Sequence, residues 1–64
     1  MTQKEVKEKI ISLGSFENKT VSEIAFLINC SSLQKVSGMC YLLEVFYNYL
    51  KSEVKNKIKF YSTK

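Results

Sequence analysis

Three helix-start signals lie in the first half of this chain, and they constrain its fold more than any other feature. In a capping box, a Ser or Thr hydroxyl accepts a hydrogen bond from the backbone N–H three residues later, and a Glu or Gln at that position bonds back to the first residue. The candidate pairs are Thr2 with Glu5, Thr20 with Glu23, and Ser31 with Gln34. We therefore expect three helices, with only a short turn between the second and the third.

Apolar residues recur at helical spacing behind each of these signals. The predicted core positions are Val6, Ile10 and Leu13 in the first helix, Val21, Ile24, Ala25 and Ile28 in the second, and Val36, Cys40, Leu43 and Tyr47 in the third. Gly14 and Asn29 follow the first two helices, and both residue types accept the left-handed backbone that ends a helix. Residues 15–19 are then a connector or a short strand, and the third helix begins at Ser31 or Ser32.

The sequence after residue 48 fits two structures. Lys alternates with apolar residues over 57–60, which predicts a hairpin with strands at 49–54 and 57–62 and a turn at 55–56. Apolar residues also continue a heptad pattern through Leu50, Val54 and Ile58, which predicts an all-α chain with a very long third helix. We favour the hairpin, because β-branched and aromatic residues dominate 58–61 and Asn48 is a suitable helix stop. The predicted fold class is mostly α with a small β-hairpin (α+β), in a single domain over 1–64.

The charges of the chain are unevenly distributed. All ten basic residues are Lys and all six acidic residues are Glu, and residues 1–47 hold five of each. The whole net charge of +4 therefore lies in residues 48–64. A local positive patch indicates an anionic partner, most often a nucleic acid or an acidic protein, although a solvated Lys-rich tail would have the same composition.

Catalytic and metal sites are difficult to build from this composition. The chain has no His and no Asp, which excludes catalytic triads and most metal sites. Cys30 and Cys40 lack the C-x-x-C spacing of redox motifs, and such cysteines are usually buried as small hydrophobic residues. We predict that the protein is not an enzyme, that it needs no cofactor or metal, and that both cysteines are buried free thiols.

No apolar run approaches the length of about 20 residues that a membrane-spanning helix needs. The first nine residues are also too charged for a secretion signal. We therefore expect an intracellular protein without a membrane partner, located in the cytoplasm, or in the host-cell cytoplasm if the chain is viral.

The segment Thr20–Ala25 reads T-V-S-E-I-A, and the predicted hairpin follows further along the chain. Between them lie Ser31, Val36, Cys40, Leu43 and Glu44. This order resembles the winged helix-turn-helix, in which T-V-S-E-[IL]-A is followed by a turn, by Ser, and by V-x-x-x-apolar-x-x-L-E. The resemblance covers nearly the whole chain and is to the DNA-binding domains of small bacterial, archaeal and viral transcriptional repressors. It implies three helices followed by a two-stranded wing.

The resemblance also implies a transcriptional regulator that places its third helix in the major groove of double-stranded DNA. The implied base-reading face consists of Gln34, Lys35, Ser37, Gly38 and Tyr41. Phosphate contacts are implied for Lys19, Thr20, Ser31 and Ser32, and for Lys55, Asn56 and Lys57 at the tip of the wing. The alternative is a small protein-interaction adaptor that uses the same fold without binding DNA.

Two apolar residues fall outside the predicted core stripes. Ile11 and Phe26 occupy positions where surface helices are normally polar, and Leu42 and Val45 add to the apolar excess on the third helix. Several such residues together indicate a surface that a partner covers. A chain of this size also gains stability by dimerising. We therefore predict a homodimer, and we expect Ile11 and Phe26 to contribute to the interface of the dimer or of another protein partner.

Overall fold

Three helices followed by an antiparallel hairpin make up the chain, and the computed structural model describes all 64 residues. The helices are α1 (Gln3–Ser12), α2 (Val21–Leu27) and α3 (Leu33–Val45), and the strands are β1 (Leu50–Lys55) and β2 (Ile58–Thr63). The predicted α+β class is therefore confirmed, and the all-α alternative with a long third helix is wrong. None of the helices combines the length and the apolar character that crossing a membrane requires.

The first two helices begin as their capping boxes predict. The Thr2 hydroxyl accepts a hydrogen bond from the Glu5 backbone N–H at 3.2 Å, and the Glu5 carboxylate accepts one from the Thr2 backbone N–H at 3.1 Å. Two hydrogen bonds from Thr2 stabilise the Glu5 carboxylate and lower its pKa. The bond from the backbone N–H has the larger effect, and the bond from the hydroxyl has the smaller one. Thr20 and Glu23 make the same two bonds at 3.2 and 3.0 Å.

The third helix begins at the second of its two candidate residues. Ser32 is the N-cap, and its hydroxyl accepts a hydrogen bond from the Lys35 backbone N–H, so the predicted capping box of Ser31 with Gln34 is wrong. The reason lies in the turn before it. The Cys30 N–H donates a hydrogen bond to the Ala25 carbonyl, so Cys30 still belongs to the C-terminal cap of α2. The β-region backbone that an N-cap needs is found at Ser32. Lys35 has no acceptor group, so no reciprocal bond forms.

Residues with a left-handed backbone end each helical segment. Gly14 has φ 77°, Asn29 has φ 57° and Asn48 has φ 55°, as the residue types predict. Asn48 also explains why the heptad pattern does not continue as helix. At this point the Tyr49 N–H turns back to bond the Leu43 carbonyl at 2.7 Å, and β1 begins at Leu50.

The hairpin turns one residue later than the alternation predicts. Asn56 and Lys57 are the two turn residues, with φ 51° and 66°, whereas the predicted turn was at 55–56. Two positive φ values are the requirement of a type I′ turn, whose twist matches that of the flanking strands. Asn at the first turn position accepts this backbone, which Lys55 does not do as readily. The register runs from Leu50 opposite Thr63 to Lys55 opposite Ile58.

The connector between α1 and α2 adds a short third segment to the sheet. Lys19 and Tyr61 exchange backbone hydrogen bonds of 2.9 and 2.7 Å. The Thr63 N–H also bonds to the Phe16 carbonyl at 2.9 Å. The outer edge of β2 is therefore paired, and the start of α2 is held against the hairpin.

The core combines side chains from all five elements, and most of the predicted positions are buried. The eleven buried apolar residues are Val6, Ile10, Ile24, Ala25, Ile28, Val36, Met39, Cys40, Leu43, Leu50 and Tyr61. Leu13 and Val21 are only half-buried. The prediction for Tyr47 is wrong, because α3 ends at Val45 and leaves this ring half-exposed. Met39 takes a place in the core that the predicted stripe omitted.

The two cysteines differ in their burial. Cys40 is fully buried, and the loss of solvent raises the pKa of its thiol to about 12. Cys30 is only half-buried, because it lies in the turn before α3, so the prediction of burial holds for Cys40 alone. Both are free thiols, as predicted.

Candidate nucleic-acid interface

The centre of the outer face of α3 carries no charge, and Lys35 lies at its edge. Gln34, Ser37, Gly38 and Tyr41 are all exposed, on the side of the helix that faces away from the buried stripe. None of the four has a side-chain hydrogen bond or an ion pair in the structure. A solvent-exposed helix face without charges is unusual, since polar faces are normally rich in Lys and Glu. It presents hydrogen-bonding groups and, at Gly38, a backbone without a side chain to the solvent.

Gly38 has no structural reason to be glycine. It lies in the interior of α3, has no positive φ, and a Cβ added to it would meet nothing within 4 Å. Glycine in a helix interior costs roughly 0.5–1 kcal/mol of stability relative to alanine. Neither a backbone requirement nor close packing within the chain offsets this cost. Close approach by an external partner is one physical reason that would favour a glycine here.

Lys35 does not project freely from the outer side of α3. Its ammonium group donates a hydrogen bond to the Met1 carbonyl at 2.6 Å, which connects the start of α3 to the first residue of the sequence. To contact a base, this side chain must give up the bond to Met1. Gln34 has no such restraint, and its amide offers both a donor and an acceptor.

The residues predicted to contact phosphates at the helix starts differ in how available they are. Ser31 is exposed, whereas Ser32 and Thr20 are half-buried and use their hydroxyl oxygens as caps. Each hydroxyl still has one O–H to donate. Thr20 is the less favourable of the two caps, because its backbone N–H is already bound by the Glu23 carboxylate, which repels an anion.

Lys19 is half-buried, and its backbone is paired with Tyr61. The residue lines a cavity of about 280 Å³ together with Glu23, Phe26 and two further α2 residues. The opposite charge of Glu23 in the same cavity weakens the field that Lys19 presents to a phosphate. The start of α2 is thus a weaker anion contact than the hairpin tip.

The tip of the hairpin is exposed and basic. Lys55, Asn56 and Lys57 are all exposed, as the resemblance implies for a wing tip. The Lys55 ammonium lies 3.8 Å from a Glu53 oxygen, an exposed pair of small energetic value. Lys57 makes no ion pair. Both cations are therefore available to an anionic partner.

Glu44 joins α3 to the hairpin, a role that the sequence pattern did not reveal. Its carboxylate accepts a hydrogen bond from the Ser52 hydroxyl and lies 3.7 Å from the Lys59 ammonium. The Lys59 ammonium also lies 5.3 Å from the centre of the Tyr61 ring. Partial desolvation lowers the pKa of Lys59, but the hydrogen bonds and charges of Tyr61 and Glu44 together have a larger, opposite effect. The pKa of Lys59 is therefore raised. These contacts restrain the position of the hairpin relative to α3.

No cavity in the structure is lined by both Ile11 and Phe26. Both are exposed, and Phe26 is 84% exposed. Phe26 stands between the cavity lined by Lys19 and a second cavity of about 430 Å³, which is lined by Cys30, Ser31 and other residues of the α2–α3 turn. Ile11 lines neither cavity. The prediction that both residues contribute to a dimer or partner interface stays a prediction.

Comparison of the chain with protein-family models, with curated proteins and with solved structures gave no match.

Proposed function

We propose that this protein binds double-stranded DNA, with the N-terminal half of α3 in the major groove and the hairpin tip on the phosphate backbone. A transcriptional regulator, and specifically a repressor, is the role that such a domain fits. The observation that carries the proposal is Gly38 in the middle of an uncharged, exposed helix face. A helix that must lie close to base edges benefits from the missing side chain, since the groove admits a helix with little room to spare.

The chemistry of the face supports base contacts more than phosphate contacts. Gln34 can make a paired hydrogen bond to adenine, and Ser37 can donate to or accept from a base edge. Tyr41 offers an apolar ring with a hydroxyl at its end, which suits contact with a thymine methyl or a sugar. The chain has no Arg, so the commonest contact to guanine is absent and the proposal favours A·T-containing sites.

The distribution of charge supplies the non-specific part of the binding. All of the net charge lies in residues 48–64, and Lys55 and Lys57 extend from the exposed tip. Lysines that neutralise phosphates release counterions, so the affinity should fall steeply as salt rises. The ties from Glu44 to Ser52 and Lys59 would hold the tip at a fixed position while α3 lies in the groove.

The decisive experiment measures binding to a random duplex library, followed by titrations of one selected site and one scrambled site at two salt concentrations. We expect tighter binding to the selected site and a salt slope of several units. Lys57→Ala should lower the slope, and Lys4→Ala, which changes an exposed Lys of α1, serves as the matched control. No measurable affinity for either duplex at low salt would reject DNA binding.

A protein-interaction adaptor is the second candidate function, and the exposure of Phe26 is the observation that favours it. A largely exposed aromatic ring beside two cavities is typical of a residue that a protein partner covers. An adaptor would show little affinity for DNA at any salt concentration. The titrations described above therefore separate the two functions.

A further inference from the structure

Three consecutive apolar residues are exposed at the end of α3. Val45 is 62% exposed, Phe46 75% and Tyr47 49%. Consecutive helical residues point about 100° apart, so Val45 lies on the outer face of α3 with Gln34 and Tyr41, whereas Phe46 and Tyr47 follow the last helical residue. Single exposed apolar side chains are normal on protein surfaces, but two adjacent exposed aromatic rings indicate a surface that a partner covers. None of these three residues belongs to the proposed DNA-contacting set.

The two aromatic rings of this run have defined positions. The centres of the Phe46 and Tyr47 rings lie 5.1 Å apart in an edge-to-face arrangement, and the Lys7 ammonium lies 4.8 Å from the centre of the Tyr47 ring. Ile11 follows one helical turn after Lys7, on the same side of α1. We call the surface formed by Lys7, Ile11, Phe46 and Tyr47 the aromatic face.

We propose that a second copy of this chain docks on the aromatic face, forming a two-fold symmetric dimer. Aromatic side chains have only two side-chain torsions and lose little conformational entropy when they are covered, which favours their use at an interface. Phe46 is 75% and Tyr47 49% exposed, so covering both rings would bury roughly 200–300 Å² in total, about a third of the roughly 800 Å² per partner in a standard interface. Ile11 and its polar neighbours supply further area.

The charges around this face favour a second copy over an anionic partner. The helical part of the chain, residues 1–47, has no net charge, and the positive charge that attracts a nucleic acid lies in residues 48–64. The outer side of α1 presents both signs, at Lys4, Lys7 and Glu8. In a two-fold contact between antiparallel α1 helices, Lys7 of each copy can lie opposite the partner's Glu8. Each contact then occurs twice, as in any isologous interface.

The position of the aromatic face leaves the proposed DNA surface open. Gln34 lies at the start of α3 and Phe46 at its end, and a helix of 13 residues is about 20 Å long. The cavities beside Phe26 are less suitable for a second copy, because Lys19 and Ser31 line them and would be covered. This choice between the two surfaces rests on the proposed function, whereas the dimer itself can be tested without DNA.

Sedimentation equilibrium over a wide range of protein concentrations tests the dimer. The variants are Phe46→Gln and Ile11→Gln on the aromatic face, with Phe26→Gln as the control, since it removes another exposed apolar ring without adding charge. Circular dichroism verifies that each variant is folded. We expect the wild type to dimerise, and Phe46→Gln and Ile11→Gln each to raise the dimer dissociation constant roughly tenfold or more. Phe26→Gln should leave the dissociation constant unchanged.

A charge exchange tests the two-fold geometry. Lys7→Glu and Glu8→Lys should each weaken self-association, because each places like charges opposite one another, and an equimolar mixture of the two variants should associate more tightly than either alone. A monomeric wild type, a dimer disrupted by Phe26→Gln but not by Phe46→Gln, or a mixture no tighter than its components would each overturn the proposal. A dimer of this kind without DNA binding would reject only the proposed function, and DNA binding by a strict monomer would reject only the dimer.

Discussion

Replacing Gly38 should separate the stability of the protein from its affinity for DNA. In Gly38→Ala the new methyl group meets no atom within 4 Å, and the backbone is already helical. The substitution should therefore stabilise the fold by about 0.5–1 kcal/mol, because alanine loses less backbone entropy than glycine in a helix. For a domain of this size, that gain raises the melting temperature by roughly 2–8 °C.

A longer side chain at residue 38 should weaken the binding of DNA. Gly38→Gln keeps the face uncharged and the helix propensity favourable, but it adds a long side chain where α3 would approach the base edges. We expect the free protein to be at least as stable as the wild type, and its affinity for the selected site to fall about tenfold or more, which is about 1.4 kcal/mol. Ser12→Gln, at an exposed α1 residue outside the proposed DNA-contacting set, is the matched control for side-chain length.

Thermal unfolding followed by circular dichroism measures the first effect, and fluorescence anisotropy with a labelled duplex measures the second. A lower melting temperature for Gly38→Ala would show that the space beside Gly38 is not open. A stabilised Gly38→Gln variant with wild-type affinity would show that the missing side chain does not serve close approach to DNA. That second result would remove the main support for the proposed function.

Four further outcomes follow from the same structure. Gln34→Ala should weaken binding to the selected duplex by roughly 1–3 kcal/mol and change binding to a scrambled duplex little, because only base edges carry sequence information; equal losses on both duplexes would identify a non-specific binder. Lys55→Ala and Lys57→Ala should weaken binding to every sequence about equally and each lower the salt slope by about one unit, as measured by titrations at several salt concentrations. Cys30 should be alkylated before Cys40 in the native protein at mildly alkaline pH, since burial raises the pKa of the Cys40 thiol to about 12. Mass spectrometry of the labelled peptides measures the order of labelling, and labelling of Cys40 first would contradict the prediction. Leu43→Ala should lower the free energy of unfolding by roughly 2–5 kcal/mol in chemical denaturation, because the side chain is buried in the core, and a loss below 1 kcal/mol, on the order of a surface change, would contradict that packing.

The amino-acid sequence was sufficient to predict the features that depend on neighbouring residues. The capping boxes at Thr2 and Thr20 and the helix stops at Gly14, Asn29 and Asn48 formed as predicted. Each of these features is made by hydrogen bonds or backbone angles within a few residues, so the residue types specify them without reference to the rest of the fold. The hairpin followed from the same kind of local pattern, with its turn displaced by one residue.

The tertiary structure decided the features in which segments distant in sequence meet. Tyr47 was predicted in the core and is exposed, whereas Met39 was not predicted there and is buried. The whole fold sets where α3 ends and which side of α3 packs against α1 and the hairpin. The bond from Lys35 to Met1, the double contact of Glu44, and the open space beside Gly38 also lie outside any local pattern. Burial and long-range contacts depend on which surfaces the other elements cover, and a helical repeat in one segment does not contain that information.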